Sequence, residues 1–438
     1  MSHFASPATL DPTLYLHDLD VSRWRLSLEH YTQELQHQPC DRLLLAQPDP
    51  TEFLAGFWAA ITTQTPVFLG NFHWREAQWQ QLSQQIRPQK VFGDAPCVIS
   101  PDPKPVPLGQ IMIPTGGSSG QIRFVMHTFE TLTTAVAGFQ DFFHVKQIHS
   151  YCILPLYHVS GLMQVWRSLL TGGICALGSY AQLKQGQWPA LPFQGGFLSL
   201  VPTQLQQLLA LGGADWLRQF DTVLLGGAPP WPELLAQARA ERICLAPTYG
   251  MTETAAQVVT LRPDDFLAGN PSTGQVLPHA QVQIDSNSRI AISARSLCLG
   301  YYPESFPDSE LWLTDDLGQF DAHGYLTITG RQSRKIIKGG ENVFPEAIEA
   351  VLWDTGFVKD VCVVGVPDAH WGEAIAVAYV PETGCDRAHL EVALDKHCGR
   401  FMQPHCWLKC EQLPRSAQGK IEYAAVRSLI LAQCSELE

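Results

Sequence analysis

Residues 115 to 120 read Thr115-Gly116-Gly117-Ser118-Ser119-Gly120, a run made only of Thr, Gly and Ser. Such a run brings no bulk to a core, but it exposes backbone N–H groups and hydroxyls, which suit phosphate oxygens. Arg123 follows closely as a cation. A second stretch, Thr248-Tyr249-Gly250-Met251-Thr252-Glu253, sets hydroxyls and one carboxylate just after an apolar run. A third pairs Asp315 and Asp316 with Arg331 further on, and a fourth places Lys420 in "PRSAQGK" near the C-terminus. Carboxylates and cations at these places could meet a charged ligand. Each stretch has a plain alternative on its own: a surface linker, a helix-start acid, a solvated turn, a lysine on a polar tail. The P-loop NTPase pattern fails, because Gly120 is followed by Gln121 and Ile122. The dinucleotide fingerprint fails as well.

These residues need a scaffold. "YCILPL", "GGFLSLV", "TVLLGG" and "ERICLAP" are short apolar runs ending in Pro or Gly, the pattern of buried strands. "TQLQQLLALG" between two of them has helical spacing and ends at Gly. Alternating strands and helices predict a parallel α/β sheet, in which ligands bind beyond the strand C-termini. Residues 1 to about 105 read as helices and turns, with "SPDPKPVPLGQ" as a linker. After about residue 272, "AQVQID", "RIAIS" and "YLTITG" alternate like antiparallel strands. From Arg331 onward the chain suffices for a small α+β domain, with "DVCVVGVPD" and "EAIAVAYV" as two strands. The expected division is 1–331 and 332–438.

The 438 residues carry 45% hydrophobic and 16% charged side chains, which fits a soluble protein with a sizeable core. A net charge of -13 argues against nonspecific nucleic-acid binding. No basic-then-apolar leader and no membrane-length apolar run is found, so a cytoplasmic location is expected. Cys152, Cys175, Cys244 and Cys362 sit in apolar runs and read as buried thiols. The cluster His397, Cys398, His405, Cys406, Cys410 lacks paired C-x₂-C spacing and is a poor zinc site. Oligomeric state, including a homo-oligomer, is left open.

In their order along the chain the four stretches resemble the adenylate-forming superfamily of acyl-CoA synthetases, luciferases and peptide-synthetase adenylation domains. The resemblance runs from about residue 110 to the end. It implies a large N-terminal part of α/β subdomains and a small mobile α+β C-terminal domain. It implies ATP, Mg²⁺ and coenzyme A as reactants and cofactor, with an acyl-adenylate between two half-reactions. The Thr115–Gly120 loop then wraps ATP phosphates, with Arg123 in place of the family's lysine. Gly226, Gly227 and Ala228 become the adenine-side loop. Thr248, Tyr249, Gly250, Met251 and Thr252 join the ATP site, Glu253 is the magnesium-associated acid, and Asp316 and Arg331 meet the ribose or phosphate. Lys420 is the mobile catalytic lysine. Gly339, Gly340 and Glu341 present the coenzyme A tunnel, and Arg334 stands where many members have a hinge aspartate.

The acid is read from "LPLYHVSGLMQVWRSLLTGG". It lacks the aspartate that holds an amino-acid ammonium. His158 falls at the family's gate position beside the carboxylate, with Gly250 on the substrate side. The spacing of Ser160, Trp166 and Arg167 resembles the o-succinylbenzoate–CoA ligases of menaquinone and phylloquinone synthesis. That substrate has two carboxylates, and a helix-borne Arg167 in an apolar pocket suits the one that is not activated. The alternatives are another aryl or short acyl-CoA ligase, or an adenylate former that loads a carrier protein. A solvent-facing or acid-paired Arg167 is the structural alternative.

Overall fold

The computed structural model describes residues 16–17, 19–96, 106–116, 122–306, 311–398, 402–415 and 421–434. One sheet runs in the order Leu16–His17, Cys175–Leu177, Ser150–Cys152, Phe197–Leu200, Thr222–Leu225, Leu245–Met251, Ala256–Thr260, Gln275–Val276. It is parallel as far as Leu245–Met251 and antiparallel beyond. The expected parallel runs are all there. The strand that starts in "ERICLAP" does not stop at Pro247, however. It continues to Met251 and turns back into Ala256–Thr260.

A second sheet joins the parallel strands Lys90–Gly93, Leu43–Ala46, Val67–Leu69 and Ile111–Gly116 to an antiparallel edge, Ile122–His127, Gly300–Tyr301 and Glu304–Ser305. Three of its strands come from the region read as helices and turns. They are only 3 or 4 residues long, too short to show a period. Most of the expected linker lies outside the described residues.

Helices fill the space between these sheets. Pro50–Thr62 is apolar almost all round, as a helix buried on every side must be. Asp49 caps it, accepting from the N–H groups of Thr51 and Glu52, and Pro50 fits the first turn. Val159–Thr171 ends at Gly172 in the left-handed conformation. Its Trp166 lies 5.8 Å from the rings of both Phe57 and Trp58 and 5.4 Å from Phe129. Truncating such a side chain to Ala costs about 3–5 kcal/mol. The packing fixes the rotation of this helix, and with it the direction of the next residue, Arg167.

Four antiparallel strands follow, Ala280–Ile284, Arg289–Ala294, Trp312–Phe320 and Leu326–Arg331; the alternation in the sequence pointed to the first, second and fourth, and Trp312–Phe320 is an additional strand. The last part is an α+β layer. Val358–Asp368 and Gly372–Pro381 form its central antiparallel pair, and helices Pro345–Asp354, Arg387–His397 and Tyr423–Cys434 pack with it. It meets the preceding part where Trp353 stacks on Trp231, with centroids 4.3 Å apart and planes 10° from parallel. Cys152, Cys175 and Cys362 are buried thiols and Cys244 is half-buried. No His/Cys/Asp/Glu cluster among the described residues has the makings of a metal site, and no described helix is long and apolar enough to cross a membrane.

Candidate active site

One β-hairpin carries most of the site. Its first limb, Leu245–Met251, holds Thr248 and Tyr249, its turn holds Thr252 and Glu253, and its second limb holds Gln257. Gly250 faces Gln257 across a register shift, and a Cβ at Gly250 would lie 2.1 Å from the Ala256 carbonyl oxygen. Glycine is therefore required for the two limbs to close at this point.

At the first limb, three predicted residues converge. The Tyr249 hydroxyl donates to Asp316 Oδ2 at 2.9 Å, and Arg331 Nε donates to Asp316 Oδ1 at 2.7 Å. Asp316 and Arg331 are direct partners across their strands. Asp316 is 5% exposed, and burial together with its carboxylate pushes the Tyr249 phenol well above the usual range. A carboxylate has about four lone-pair sites, so two remain for the hydroxyls of a diol. Beside it, Gly226 ends the strand Thr222–Leu225, and a Cβ there would lie 2.6 Å from Thr248 Oγ1. Gly227 has φ +83°, and Ala228 is exposed at the same strand end.

At the turn, Glu253 is buried, and its Oε1 accepts from the Tyr301 hydroxyl at 2.5 Å. The Arg123 guanidinium lies over the Tyr301 ring, 4.2 Å from its centroid. Tyr301 thus joins the predicted loop cation to the predicted metal acid. Thr115 and Gly116 end one strand of a second hairpin, and Thr115 pairs with Arg123 on the other. Gly117, Ser118, Ser119 and Gly120 lie between them, outside the described residues, as does Lys420. His127 braces the turn from behind. Its Nε2 is 2.7 Å from the Thr252 carbonyl oxygen and its Nδ1 is 2.9 Å from Thr131 Oγ1. A carbonyl only accepts, so Nε2 carries the proton. Burial pushes His127 down to about 4, so it is neutral.

On the second limb, Gln257 Oε1 accepts from Arg167 at 2.6 Å. Arg167 is 4% exposed, its guanidinium sits over the Phe139 ring at 4.2 Å, and burial alone pushes it down to about 9. It neither faces solvent nor pairs with a carboxylate among the described residues. On the same helix His158 is the N-cap residue, its ring 4.5 Å from that of Tyr157, and Ser160 is exposed.

The remaining predicted residues are elsewhere. Gly339 and Gly340 make a two-residue hairpin turn between Ile336–Lys338 and Glu341–Val343, with φ of +60° and +87°. This conformation favours glycine at both places, with Asn or Asp as the other residues that adopt it. A Cβ on Gly339 would also meet the Trp371 ring at 2.7 Å. Arg334 is not a solvated charge. It donates to Glu346 at 2.7 Å and Glu349 at 2.6 Å and lies over the Tyr423 ring at 4.1 Å. Burial opposes its charge, yet these two acids raise its pKa above the ordinary arginine value. One residue earlier, the Ser333 N–H and hydroxyl both donate to Asp315, the acid that stands where the family has glycine.

Sequence reasoning missed Tyr301, His127 and Gln257. Tyr301 follows Gly300 in an unremarked "LGYY", and nothing in residue type separates His127 from the other histidines.

Comparison with known proteins adds to this geometry. The family described as AMP-binding enzyme matches residues 74–295, and the AMP-binding enzyme C-terminal domain matches residues 347–420. The 2-succinylbenzoate–CoA ligase of Listeria monocytogenes is 32% identical over 316 residues, covering 70% of this chain and 67% of that protein. Among solved structures, o-succinylbenzoate CoA synthetase from Bacillus subtilis in complex with the acyl-adenylate intermediate OSB-AMP superposes with a TM-score of 0.80 at 20% identity, covering 94% of this chain and 95% of that one. The same enzyme with ATP and magnesium ion gives 0.78 at 20% identity, over 95% and 96%.

Proposed function

The chain belongs to the AMP-binding enzyme family, and from that premise we propose that it is an o-succinylbenzoate–CoA ligase. The reaction joins o-succinylbenzoate to coenzyme A with cleavage of ATP to AMP and pyrophosphate. The observation that carries this reading is Arg167, a buried guanidinium with no carboxylate partner among the described residues. A buried cation left unpaired is costly, and the anion that completes it is best brought by the substrate. o-Succinylbenzoate brings one carboxylate to Arg167 and keeps a second for activation.

Asp316 accepts from the ribose hydroxyls while Tyr249 and Arg331 hold it in place. The space beside Gly226 and Thr248 takes the adenine. The Thr115–Gly120 loop and Arg123 take the triphosphate. Glu253 has hard oxygen atoms in a buried, oriented carboxylate, which fits Mg²⁺. When bound there, Mg²⁺ neutralises phosphate charge. With His158 beside it, the succinyl carboxylate oxygen attacks the α-phosphorus, and the bond to pyrophosphate breaks. Lys420 draws the two anions together. The coenzyme A thiol then loses its proton and displaces AMP, entering past Gly339, Gly340 and Glu341. The working division is residues 1–331 for ATP and acid and 332–438 for the mobile domain, with Arg334 at the hinge. All three substrates are water-soluble anions, which suits a cytoplasmic enzyme.

The test is pyrophosphate release from ATP and Mg²⁺ with a panel of acids, with and without coenzyme A. Release that requires o-succinylbenzoate, with thioester formed only when coenzyme A is added, is the expected result. Equal release with benzoate or fatty acids overturns the reading.

A further inference from the structure

Arg167 does not stand alone. Gln257, 8% exposed, spends its carbonyl on Arg167 and leaves its amide Nε2 without a partner among the described residues. Arg167 Nε is likewise unpartnered among the described residues. His279 completes the group. Both of its ring nitrogens are sealed from solvent and neither has a hydrogen-bond partner among the described residues. Burial, with the Arg167 charge adding to it, pushes this imidazole down to about 4. It is therefore neutral at working pH, with one N–H donor and one acceptor nitrogen. Its ring lies against Gly138, where an added Cβ would be 1.9 Å from Nδ1. The next residue, Phe139, is the one on which Arg167 rests.

Arg167 and Gln257, which touch, and His279, whose ring lies against Gly138 beside Phe139, thus hold unspent donors out of solvent, and unspent buried donors are expensive. The set carries one positive charge and three kinds of N–H: guanidinium, amide and imidazole. Its complement is a planar acceptor with one negative charge and several lone pairs, which is a carboxylate. A second cation at this place would leave the complex charged, so the neutrality of His279 is part of the match.

We infer that His279 and Gln257, together with Arg167, form the receptor for the carboxylate that is not activated, and that they determine specificity for a diacid over the matching monoacid. The inference rests on the acid proposed above and adds two residues to its recognition. Gly138 is small because the His279 imidazole occupies the place of a side chain.

The experiment compares kcat/KM for o-succinylbenzoate with that for 4-oxo-4-phenylbutyrate, which lacks the ring carboxylate, in wild type, H279F, H279N, Q257L and G138A. Circular dichroism checks the fold of each. H279F and Q257L are expected to lower the diacid-to-monoacid ratio at least about fivefold, the scale of one lost hydrogen bond, through the KM of the diacid. The monoacid values fall by less than the diacid values. H279N restores part of the ratio, and G138A, which displaces the imidazole, behaves like H279F. If wild type prefers the diacid and the variants keep its ratio, or lose both acids in step, the inference falls while the proposed function stands. If wild type shows no preference for the diacid, both fall.

Discussion

Replacing Arg167 by Met is expected to move stability and activity in opposite directions. The guanidinium is 4% exposed and burial pushes it down to about 9. Against an ordinary arginine value of about 12.5, that corresponds to about 4–5 kcal/mol opposing the charged form. The bond to Gln257 and the contact with Phe139 return part of this, roughly 2–3 kcal/mol together. No carboxylate is stranded when the cation leaves, so the penalty for breaking a buried pair is limited to the Gln257 carbonyl oxygen that loses its donor. Arg167→Met therefore raises the unfolding free energy of the ligand-free protein by roughly 1–3 kcal/mol, measured by urea denaturation. For the enzyme as an o-succinylbenzoate ligase, the same change strips the substrate carboxylate of its counter-charge. That costs roughly 2–5 kcal/mol, or about thirtyfold to several-thousandfold in kcat/KM. Pyrophosphate release with o-succinylbenzoate as the varied substrate reads this loss. A variant that is less stable than wild type, or one with unchanged kcat/KM, refutes the claim that Arg167 is kept for an incoming anion.

Lys420→Ala is expected to suppress adenylation by several orders of magnitude yet spare thioester formation from supplied acyl-adenylate. Equal loss in both half-reactions would remove the lysine's separate role. Tyr301→Phe frees Glu253 Oε1 and leaves the carboxylate less well aimed, so the Mg²⁺ concentration for half-maximal pyrophosphate exchange should rise severalfold. An unchanged Mg²⁺ requirement would show that Tyr301 only packs. Where Trp231 meets Trp353, burial and the neighbouring Asp354 push Glu233 up to about 7. An acid raised in this way stabilises the contact while protonated, so the contact is firm at acid pH and loosens as pH rises through about 7. Tryptophan fluorescence should change over that window in wild type and stay flat in Glu233→Gln.

The sequence displayed this site unevenly, for reasons tied to particular residues. Asp316, Glu253 and Gly226 stood out only through the resemblance of their stretches, taken in order, to the adenylate-forming superfamily, since each alone had a plain alternative. Their meeting was legible from the order of the stretches. The partners that orient them were not. Tyr301 reaches Glu253 from another sheet, and His127 reaches Thr252 across 125 positions of chain. Tertiary packing alone creates such pairings. His279 directly precedes the strand run "AQVQID" but lies in none of the stretches read as carrying chemistry, and its meaning comes from the glycine it crowds. The early strands escaped because three or four residues are too few to separate period two from period 3.6. Arg334 gave a charge at an unusual place, but only the fold supplied Glu346 and Glu349.

The junction between Ser333 and Arg334 has a practical consequence for recombination. Ser333 is tied backward to Asp315, and Arg334 forward to Glu346 and Glu349. Exchanging Arg334 for aspartate by itself would crowd three acids around one point. A graft of the tail from a relative should therefore be spliced at this peptide bond, so that the arginine departs in the company of its two glutamates and each fragment remains electrically whole.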